Sequence, residues 1–185
     1  MAESDRTKWD QRYFEAGATR LDVPCWLADV DGELPREGRA LDIAAGDGRL
    51  TLWLARRGLD VVAVDISSVG LDFAYCAAEE EGLRIATMAI DLEVEPLPNG
   101  PFDIITCFSY RQRDLFPYIR ESLNLGGIFV AEIATVPNLE LHAHPSFEYL
   151  AEPGELRRDC VPLEIVYYEE DWFQEHASAR VVARK

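Results

Sequence analysis

The sequence predicts an α/β protein with a doubly wound, mostly parallel sheet of seven strands that ends in a C-terminal antiparallel hairpin. Two observations predict this class. Short β-type runs alternate with helical periodicity along residues 39–134, as in repeated βαβ units. Two further strand-like runs, LEIVYYEE and SARVVARK, follow with only about seven residues between them, which is too few for a right-handed crossover.

Strands and helices alternate in order from residue 39. The apolar run over 60–64 is typical of a strand that is covered on both faces. Ser67 has the side chain of a helix cap, and Gly58 and Gly82 follow helical runs, where glycine commonly ends a helix. The predicted strands are 39–43, 60–64, 84–90, 102–108 and 127–134. The predicted helices are 50–57, the segment between Ser67 and Gly82, and 115–123.

Composition narrows the class of partner. Thirty-four acidic and 18 basic residues give a formal net charge of −16, which repels nucleic acid and anionic membranes. No apolar run is long enough to span a bilayer, and MAESDRTKWD lacks the apolar centre of a signal peptide. The four cysteines have no metal-ligand spacing and are expected to be buried, reduced thiols. We therefore expect a cytoplasmic protein with small ligands and without metal, nucleic acid or membrane partners.

The strongest functional signal is residues 40–67, ALDIAAGDGRLTLWLARRGLDVVAVDIS. Gly46 and Gly48 stand where the first strand turns into a helix, so backbone can approach a ligand and the helix start can attract an anion. Asp65 ends the second strand, and its carboxylate can accept bonds from both hydroxyls of a ribose. Each end alone also fits a tight turn or a capping acid. Together they predict a nucleoside site with an anionic tail at the carboxyl edge of the sheet.

Motif residues that the sequence lacks narrow the choice of nucleoside ligand. A dinucleotide fingerprint has a third glycine where this chain has Thr51, and no G-K-[ST] is present for a triphosphate. A ligand with an amino-acid tail fits better, because Asp42 can attract its ammonium group while the backbone of Gly46 and Gly48 meets its carboxylate. These features describe S-adenosylmethionine, with S-adenosylhomocysteine as the product.

At these residues the sequence resembles the class I S-adenosylmethionine-dependent methyltransferases, whose first loop follows an acid-x-G-x-G-x-G pattern. The first glycine of that pattern is Ala44 here. Within the class the chain is similar to small-molecule methyltransferases related to the tellurite-resistance enzymes, which implies a Rossmann-like methyltransferase fold. That likeness is carried by W-D-x-R-Y at 9–13, LDIAAGDGR, VVAVDIS, AIDLE, FDIITCFSYRQRDLFPYI, NLGGIFVAEI and PGEL at 153–156.

The resemblance implies roles at the carboxyl edge. Asp65 binds the ribose hydroxyls, and Ile66 lies on the adenine ring. Asp91 accepts a bond from the adenine amino group, with the backbone of Leu92 beside it, and Phe108 lies near the methionine end. Position supports Asp91 independently, because it follows the third strand where an acceptor can reach the ligand, although a simple turn acid would also stand there.

The acceptor side is expected in the loops after the fourth and fifth strands. Methyl transfer depends on alignment and exclusion of water more than on a mandatory catalytic side chain. One of the two arginines after the fourth strand could attract an anionic acceptor, or both could be surface residues. The two loop histidines could take a proton near neutral pH, or be solvated polar residues. The acceptor-side candidates are Tyr110, Arg111, Arg113, His142 and His144.

All 185 residues are expected to form one methyltransferase domain. In its N-terminal helical extension, 1–37, Trp9 and Tyr13 share one helix face, either as a lid or as an aromatic pair that docks the extension. The cofactor-binding core is 38–134, and the acceptor-side loop and C-terminal hairpin are 135–185. The predicted function is in-line methyl transfer from S-adenosylmethionine to a small-molecule or oxyanion acceptor. The alternative is a sensor or subunit that binds S-adenosylmethionine without turnover.

Overall fold

A computed structural model describes residues 2–17 and 22–185 of the chain. The helices are α1 (Ala2–Ala16), α2 (Arg49–Arg56), α3 (Ser68–Glu80), α4 (Leu115–Ser122) and α5 (Glu155–Asp159). The strands are β1 (Arg39–Ile43), β2 (Asp60–Asp65), β3 (Ile85–Ala89), β4 (Phe102–Phe108), β5 (Leu123–Ala134), β6 (Glu164–Phe173) and β7 (His176–Arg184). Short 3-10 helices cover Cys25–Ala28, Asp31–Glu33, Val136–Glu140 and Phe147–Tyr149.

The seven strands form one sheet in the order β3-β2-β1-β4-β5-β7-β6. Strands β1 to β5 run parallel, and β7 is antiparallel to both β5 and β6. The predicted doubly wound sheet with a C-terminal antiparallel hairpin is therefore confirmed. The strand order reverses between β1 and β4, so a crevice for a ligand is expected outside the carboxyl ends of these strands.

Two local predictions were wrong. The hairpin turn has two residues, Gln174 and Glu175, because the polar run before it continues β6, an edge strand that tolerates such side chains. β5 begins at Leu123, four residues earlier than predicted, with an irregular register against β4. In the N-terminal extension, Cys25–Ala28 form a 3-10 helix that is preceded by Pro24.

The core lies on both faces of the sheet. Alternation along β4 sends Ile104 to one apolar cluster and Ile105 to the other, and both side chains are fully buried. On β1, Ala40 packs in the cluster of Ile104, and Leu41 packs in the cluster of Ile105. Burial on both faces explains why these strands read as continuous apolar runs.

Three further features of the described part of the chain concern membrane spans, metal sites and thiols. None of its helices has the length and apolarity required to traverse a bilayer. Within it, no group of three or more histidine, cysteine, aspartate or glutamate side chains is arranged to hold a metal ion. Cys107 and Cys160 are buried, but Cys25 and Cys76 are exposed, so the expectation of four buried thiols was wrong for two of them.

Candidate active site

The loop between β1 and α2 forms the base of the crevice. Ala44, Gly46 and Gly48 all have positive φ, at 55°, 58° and 89°. This conformation favours glycine, so Ala44 keeps the backbone shape of the glycine that the methyltransferase pattern has at this position. A side chain at Gly48 would collide with Ala74 of α3. Gly48 therefore allows α2 to begin in close contact with α3, a packing role that the sequence did not indicate.

Asp42 lies beneath this loop and is almost fully buried. Its Oδ2 accepts a 2.7 Å hydrogen bond from Thr51 Oγ1, and its Oδ1 accepts one of 2.7 Å from Thr106 Oγ1. Burial raises the pKa of Asp42 to about 6, against the effect of these two bonds. Thr51, which stands where a dinucleotide fingerprint has glycine, thus binds the acid of the loop. With both oxygens held by hydroxyls, Asp42 can act on a ligand ammonium through its charge.

Asp65 joins the ends of β1 and β2 at the carboxyl edge. Its Oδ2 accepts a 2.8 Å bond from the Gly46 amide, and its Oδ1 accepts a 2.8 Å bond from the Ser67 amide. Burial raises the pKa of Asp65, and the bonds from these amides oppose the shift. Each oxygen keeps a second lone pair. The carboxylate is therefore fixed in orientation and can still accept bonds from two hydroxyls.

Asp91 supplies a buried oxygen next to Asp65. Asp65 pairs with Ala89 across β2 and β3, so Asp91 follows two residues beyond that pair. Its Oδ1 accepts a 2.9 Å bond from the Glu93 amide, whereas its Oδ2 is buried without a hydrogen-bond partner within residues 2–17 and 22–185. A buried carboxylate oxygen without a donor is costly. The arrangement therefore fits a donor group on a ligand, such as an amino group.

Tyr110 connects the loop after β4 with the loop after β3. Its hydroxyl donates a 2.6 Å bond to Gln112 Oε1, and Gln112 Nε2 donates a 3.0 Å bond to the Leu92 carbonyl. Burial is the main cause of the raised pKa of Tyr110, and negative charges that include Asp91 add to it. Tyr110 therefore lies within electrostatic reach of the carboxylates of the crevice. Gln112, which holds it there, belongs to the same loop after β4, where the acceptor side was expected.

Phe108 and Ile66 occupy the remaining predicted cofactor positions. Phe108 ends β4 and is buried, and its ring stacks on Trp26 with 6.0 Å between centroids. Ile66 is half-buried between Asp65 and the helix cap Ser67. Both residues lie at the carboxyl edge, although the stack with Trp26 turns the Phe108 ring toward the core on one face of the sheet.

Helix α1 closes over the first loop. Tyr13 lies so close to Gly46 that a side chain there would meet its hydroxyl. Burial raises the pKa of Tyr13, and the charge of Asp65 adds to the shift. Trp9 stacks on Tyr13 with 5.9 Å between ring centroids. Asp10, which had been given no role, accepts bonds from the Ser67 hydroxyl at 2.6 Å and the Val69 amide at 3.2 Å, so it fixes α1 to the start of α3.

The two arginines after β4 both bind Glu155 of α5. Arg111 is buried and contacts the Glu155 carboxylate, with Asp159 Oδ2 3.7 Å away. Arg113 is 52% exposed, and its Nε donates a 2.8 Å bond to Glu155 Oε1. Both guanidinium groups thus already have an anionic partner within the fold. Glu155 is part of the quoted PGEL segment, but its link to residues some 40 positions earlier is visible only in three dimensions.

The two histidine candidates lie on the segment after β5. The His142 ring stacks on His176 with 4.8 Å between centroids, and its Nε2 is 2.6 Å from the Glu175 carbonyl oxygen. The His144 carbonyl accepts a 3.4 Å bond from Asn138 Nδ2. His142 is therefore fixed to the turn of the C-terminal hairpin, and the contacts of both residues hold the segment in shape.

Comparison with known proteins finds a likeness in the central part of the chain. Residues 40–127, just under half of the chain, match the family described as "Methyltransferase domain". The ubiquinone biosynthesis O-methyltransferase of Bordetella avium is 30% identical over 83 residues, which are 44% of this chain and 34% of that protein. The protein of the same name from Marinobacter nauticus is 29% identical over 137 residues, 69% of this chain and 58% of that protein. The matches thus span less than two thirds of these curated relatives.

Solved structures extend the likeness to the whole fold. TehB from Haemophilus influenzae has a TM-score of 0.75 at 20% identity, over 97% of this chain and 66% of that chain. Magnesium protoporphyrin IX methyltransferase (ChlM) from Synechocystis PCC 6803, solved with bound SAH, has a TM-score of 0.74 at 16% identity, over 100% and 99% of the two chains. The predicted Rossmann-like methyltransferase fold and the resemblance to class I methyltransferases are confirmed.

Proposed function

We propose that the protein is an S-adenosylmethionine-dependent methyltransferase that acts on a small-molecule acceptor. The observation that carries this proposal is the unpartnered, buried Oδ2 of Asp91, which lies two residues past the strand pair that contains Asp65. The Asp65 carboxylate keeps lone pairs that can accept bonds from ribose hydroxyls, and Asp91 has a buried oxygen without a donor within the described residues. An adenosine presents both kinds of donor, two hydroxyls and an amino group.

The residues of the crevice fit S-adenosylmethionine. Asp65 would hold the ribose, Asp91 the adenine amino group, and the loop of Gly46 the amino-acid tail above the charge of Asp42. When bound, this group supplies a methyl carbon that is already activated by a positively charged sulfur. The acidic side chains of the crevice complement that positive charge.

The chain's own residues supply alignment and exclusion of water. Tyr13 and Asp10 bring α1 over the first loop, as a lid would require. The Tyr110 hydroxyl donates its proton to Gln112 Oε1, so this bond positions the loop after β4, and the hydroxyl oxygen keeps lone pairs that can accept a bond from the acceptor. A nucleophile held beside the cofactor would attack the methyl carbon that the cofactor would supply, S-adenosylhomocysteine would be the product, and the acceptor's proton would pass to water.

The alternative is a domain that binds the cofactor without turnover. The names of the curated relatives, O-methyltransferases, support transfer. So does the link from Tyr110 through Gln112 to Leu92, because it ties the acceptor-side loop to the adenine side of the crevice. Release of S-adenosylhomocysteine during incubation with acceptors supports transfer. Binding of S-adenosylmethionine without release of S-adenosylhomocysteine, with every acceptor tried, supports the alternative.

The test of the cofactor site is Asp91→Asn. The amide oxygen can still accept from the Glu93 backbone, but an NH2 group replaces the oxygen that would meet the adenine amino group. Affinity for S-adenosylhomocysteine should fall about ten- to a hundred-fold, the equivalent of one charge-assisted bond. Calorimetry measures the affinity, and thermal unfolding should show no loss of stability, because the substitution removes a buried unpartnered anion.

Asp60→Asn is the matched control, since Asp60 is exposed at the opposite end of β2. Its affinity should equal that of the wild type. NADH should bind to neither protein, because the dinucleotide fingerprint is incomplete at Thr51. Unchanged affinity of Asp91→Asn, or saturable binding of NADH, would contradict the proposed site.

A further inference from the structure

The segment after β5, residues 135–151, stands at the edge of the sheet where the cofactor loops meet. It leaves the carboxyl end of β5 and returns beside it, because the Ala151 amide donates to the Ala134 carbonyl and the Val136 amide to the Ala151 carbonyl, each at 2.9 Å. Buried Asn138 fixes its interior, with Oδ1 accepting a 3.3 Å bond from the Ala177 amide. We call residues 135–151 the rim segment.

The rim segment exposes large apolar side chains. Leu141, Phe147 and Tyr149 are exposed by 63%, 59% and 50%. Single exposed apolar residues are ordinary, but three on one anchored segment beside a ligand crevice indicate a surface that an apolar molecule covers. The side chains offer two aromatic faces, on which an aromatic or cationic group can stack.

The charges around this surface are negative. Burial is the largest cause of the raised pKa of Tyr149, and the carboxylates of Glu148, Asp5 and Glu93 add to the shift. Asp5 lies on α1, and Glu93 follows Asp91. Tyr149 therefore lies within electrostatic reach of α1 and of the loop after β3.

Four arginines of the loop after β4 and of α5 have partners within the fold. Arg111 and Arg113 contact Glu155. On α5, the Arg157 guanidinium lies 5.6 Å from the ring centre of Tyr168, and Arg158 Nη1 donates to the Pro153 carbonyl at 3.2 Å. A negatively charged acceptor at the rim segment would therefore meet acidic groups, and these four guanidinium groups already have partners.

We propose that the methyl acceptor is an apolar molecule with an aromatic-sized body and no negative charge, which packs on Phe147 and Tyr149. This inference rests on the proposed function and replaces the expectation of an oxyanion. It names the acceptor by its chemistry, a neutral or cationic compound whose nucleophile is an amine or hydroxyl group. Apolar contact would supply the affinity, and the acidic surroundings would supply the selection against anions.

The test uses three probes with the same ring and different charge: benzylamine, benzyl alcohol and benzoate. Each is titrated by saturation-transfer NMR against the full chain loaded with S-adenosylhomocysteine. Benzoate should bind at least about ten-fold more weakly than the other two, since like charges in one site repel. Glu148→Gln combined with Asp5→Asn should narrow this difference, and so should added salt.

A matched pair of variants locates the surface. Phe147→Ser combined with Tyr149→Ser should weaken benzyl alcohol and benzylamine about ten-fold, because apolar contact area is lost. Tyr118→Ser on α4 is the control, since Tyr118 is a tyrosine of similar exposure, 55%, away from the rim segment. It should leave all three probes unaffected.

The outcomes separate the two proposals. If S-adenosylhomocysteine binds but benzoate binds best, or the rim variants behave as wild type, or no probe binds at millimolar concentration, the acceptor inference is overturned and the cofactor site stands. If S-adenosylhomocysteine itself does not bind, the proposed function fails and the inference fails with it.

Discussion

The two halves of the crevice differ in how far their polar groups are satisfied within the fold. On the cofactor side, the loops after β1 and β2 are fixed by short bonds, with Asp65 held by two amides and Asp42 by two hydroxyls. On the proposed acceptor side, the rim segment exposes aromatic rings. The two arginines of the loop after β4 form ion pairs with Glu155 of α5.

The difference shows whether the residues that fix each half of the site are close together or far apart in the sequence. The cofactor side is built within short stretches of chain, so its glycines and acids form a readable motif. The proposed acceptor side joins residues far apart in sequence, such as Arg111 with Glu155 and His142 with His176. Variation in such loops can change the acceptor while the cofactor side stays intact.

The largest effect is expected from Glu155→Ala on the acceptor side. The substitution removes the carboxylate that contacts buried Arg111 and leaves Asp159 Oδ2, 3.7 Å away, as its acidic partner, so the loss should approach the cost of breaking a buried ion pair, about 3 to 5 kcal/mol. Urea unfolding measures the loss. Arg113→Ala is the control, because Arg113 binds the same carboxylate from a half-exposed position, and it should cost less than about 1 kcal/mol. Equal effects of the two variants would show that Arg111 is not held by Glu155.

A somewhat smaller loss is expected from Gly48→Ala on the cofactor side. The residue has a φ of 89°, and the added methyl group would collide with Ala74. Left-handed strain and overpacking together cost about 2 to 5 kcal/mol. Gly126→Ala separates backbone strain from overpacking, because Gly126 has a φ of 80° and open space around it. This variant should lose only about 1 to 2 kcal/mol of stability. Equal losses of stability in the two variants would contradict a packing role for Gly48.

A gain in stability is expected from Asp42→Asn. The pKa of Asp42 is raised from 3.8 to about 6 by burial, so the folded protein holds a proton between these values that the unfolded chain has lost. This group therefore favours folding at low pH, and the advantage disappears as pH rises through about 6. At pH 7 the charged form costs up to about 3 kcal/mol, which the amide would remove.

The same variant should weaken S-adenosylhomocysteine binding if the charge of Asp42 attracts the ammonium group. Unfolding at pH 7 should show the variant more stable than wild type, and the difference should shrink toward pH 4. A variant that is more stable and binds as well as wild type would leave Asp42 as a purely structural residue and would weaken the comparison between the two halves.

The sequence by itself determined the sheet, the hairpin and the cofactor loops. Apolar runs and turn residues act locally, so β1, β4 and the positions of Gly46, Asp65 and Asp91 could be predicted from the neighbouring residues alone. The two-residue hairpin turn could not, because the polar residues at the end of β6 are extended by pairing with β7 and not by their own pattern.

Only the tertiary structure decided the partners of the charged and polar groups. That Thr51 binds Asp42, that Gln112 holds Tyr110 to Leu92, and that Glu155 pairs with two arginines all depend on which strand ends meet. A sequence gives the charge of an arginine but not its distance to a carboxylate some 40 residues away. Because electrostatic energy depends on that distance and on burial, the proposal of an uncharged or cationic acceptor could be made only from the folded chain.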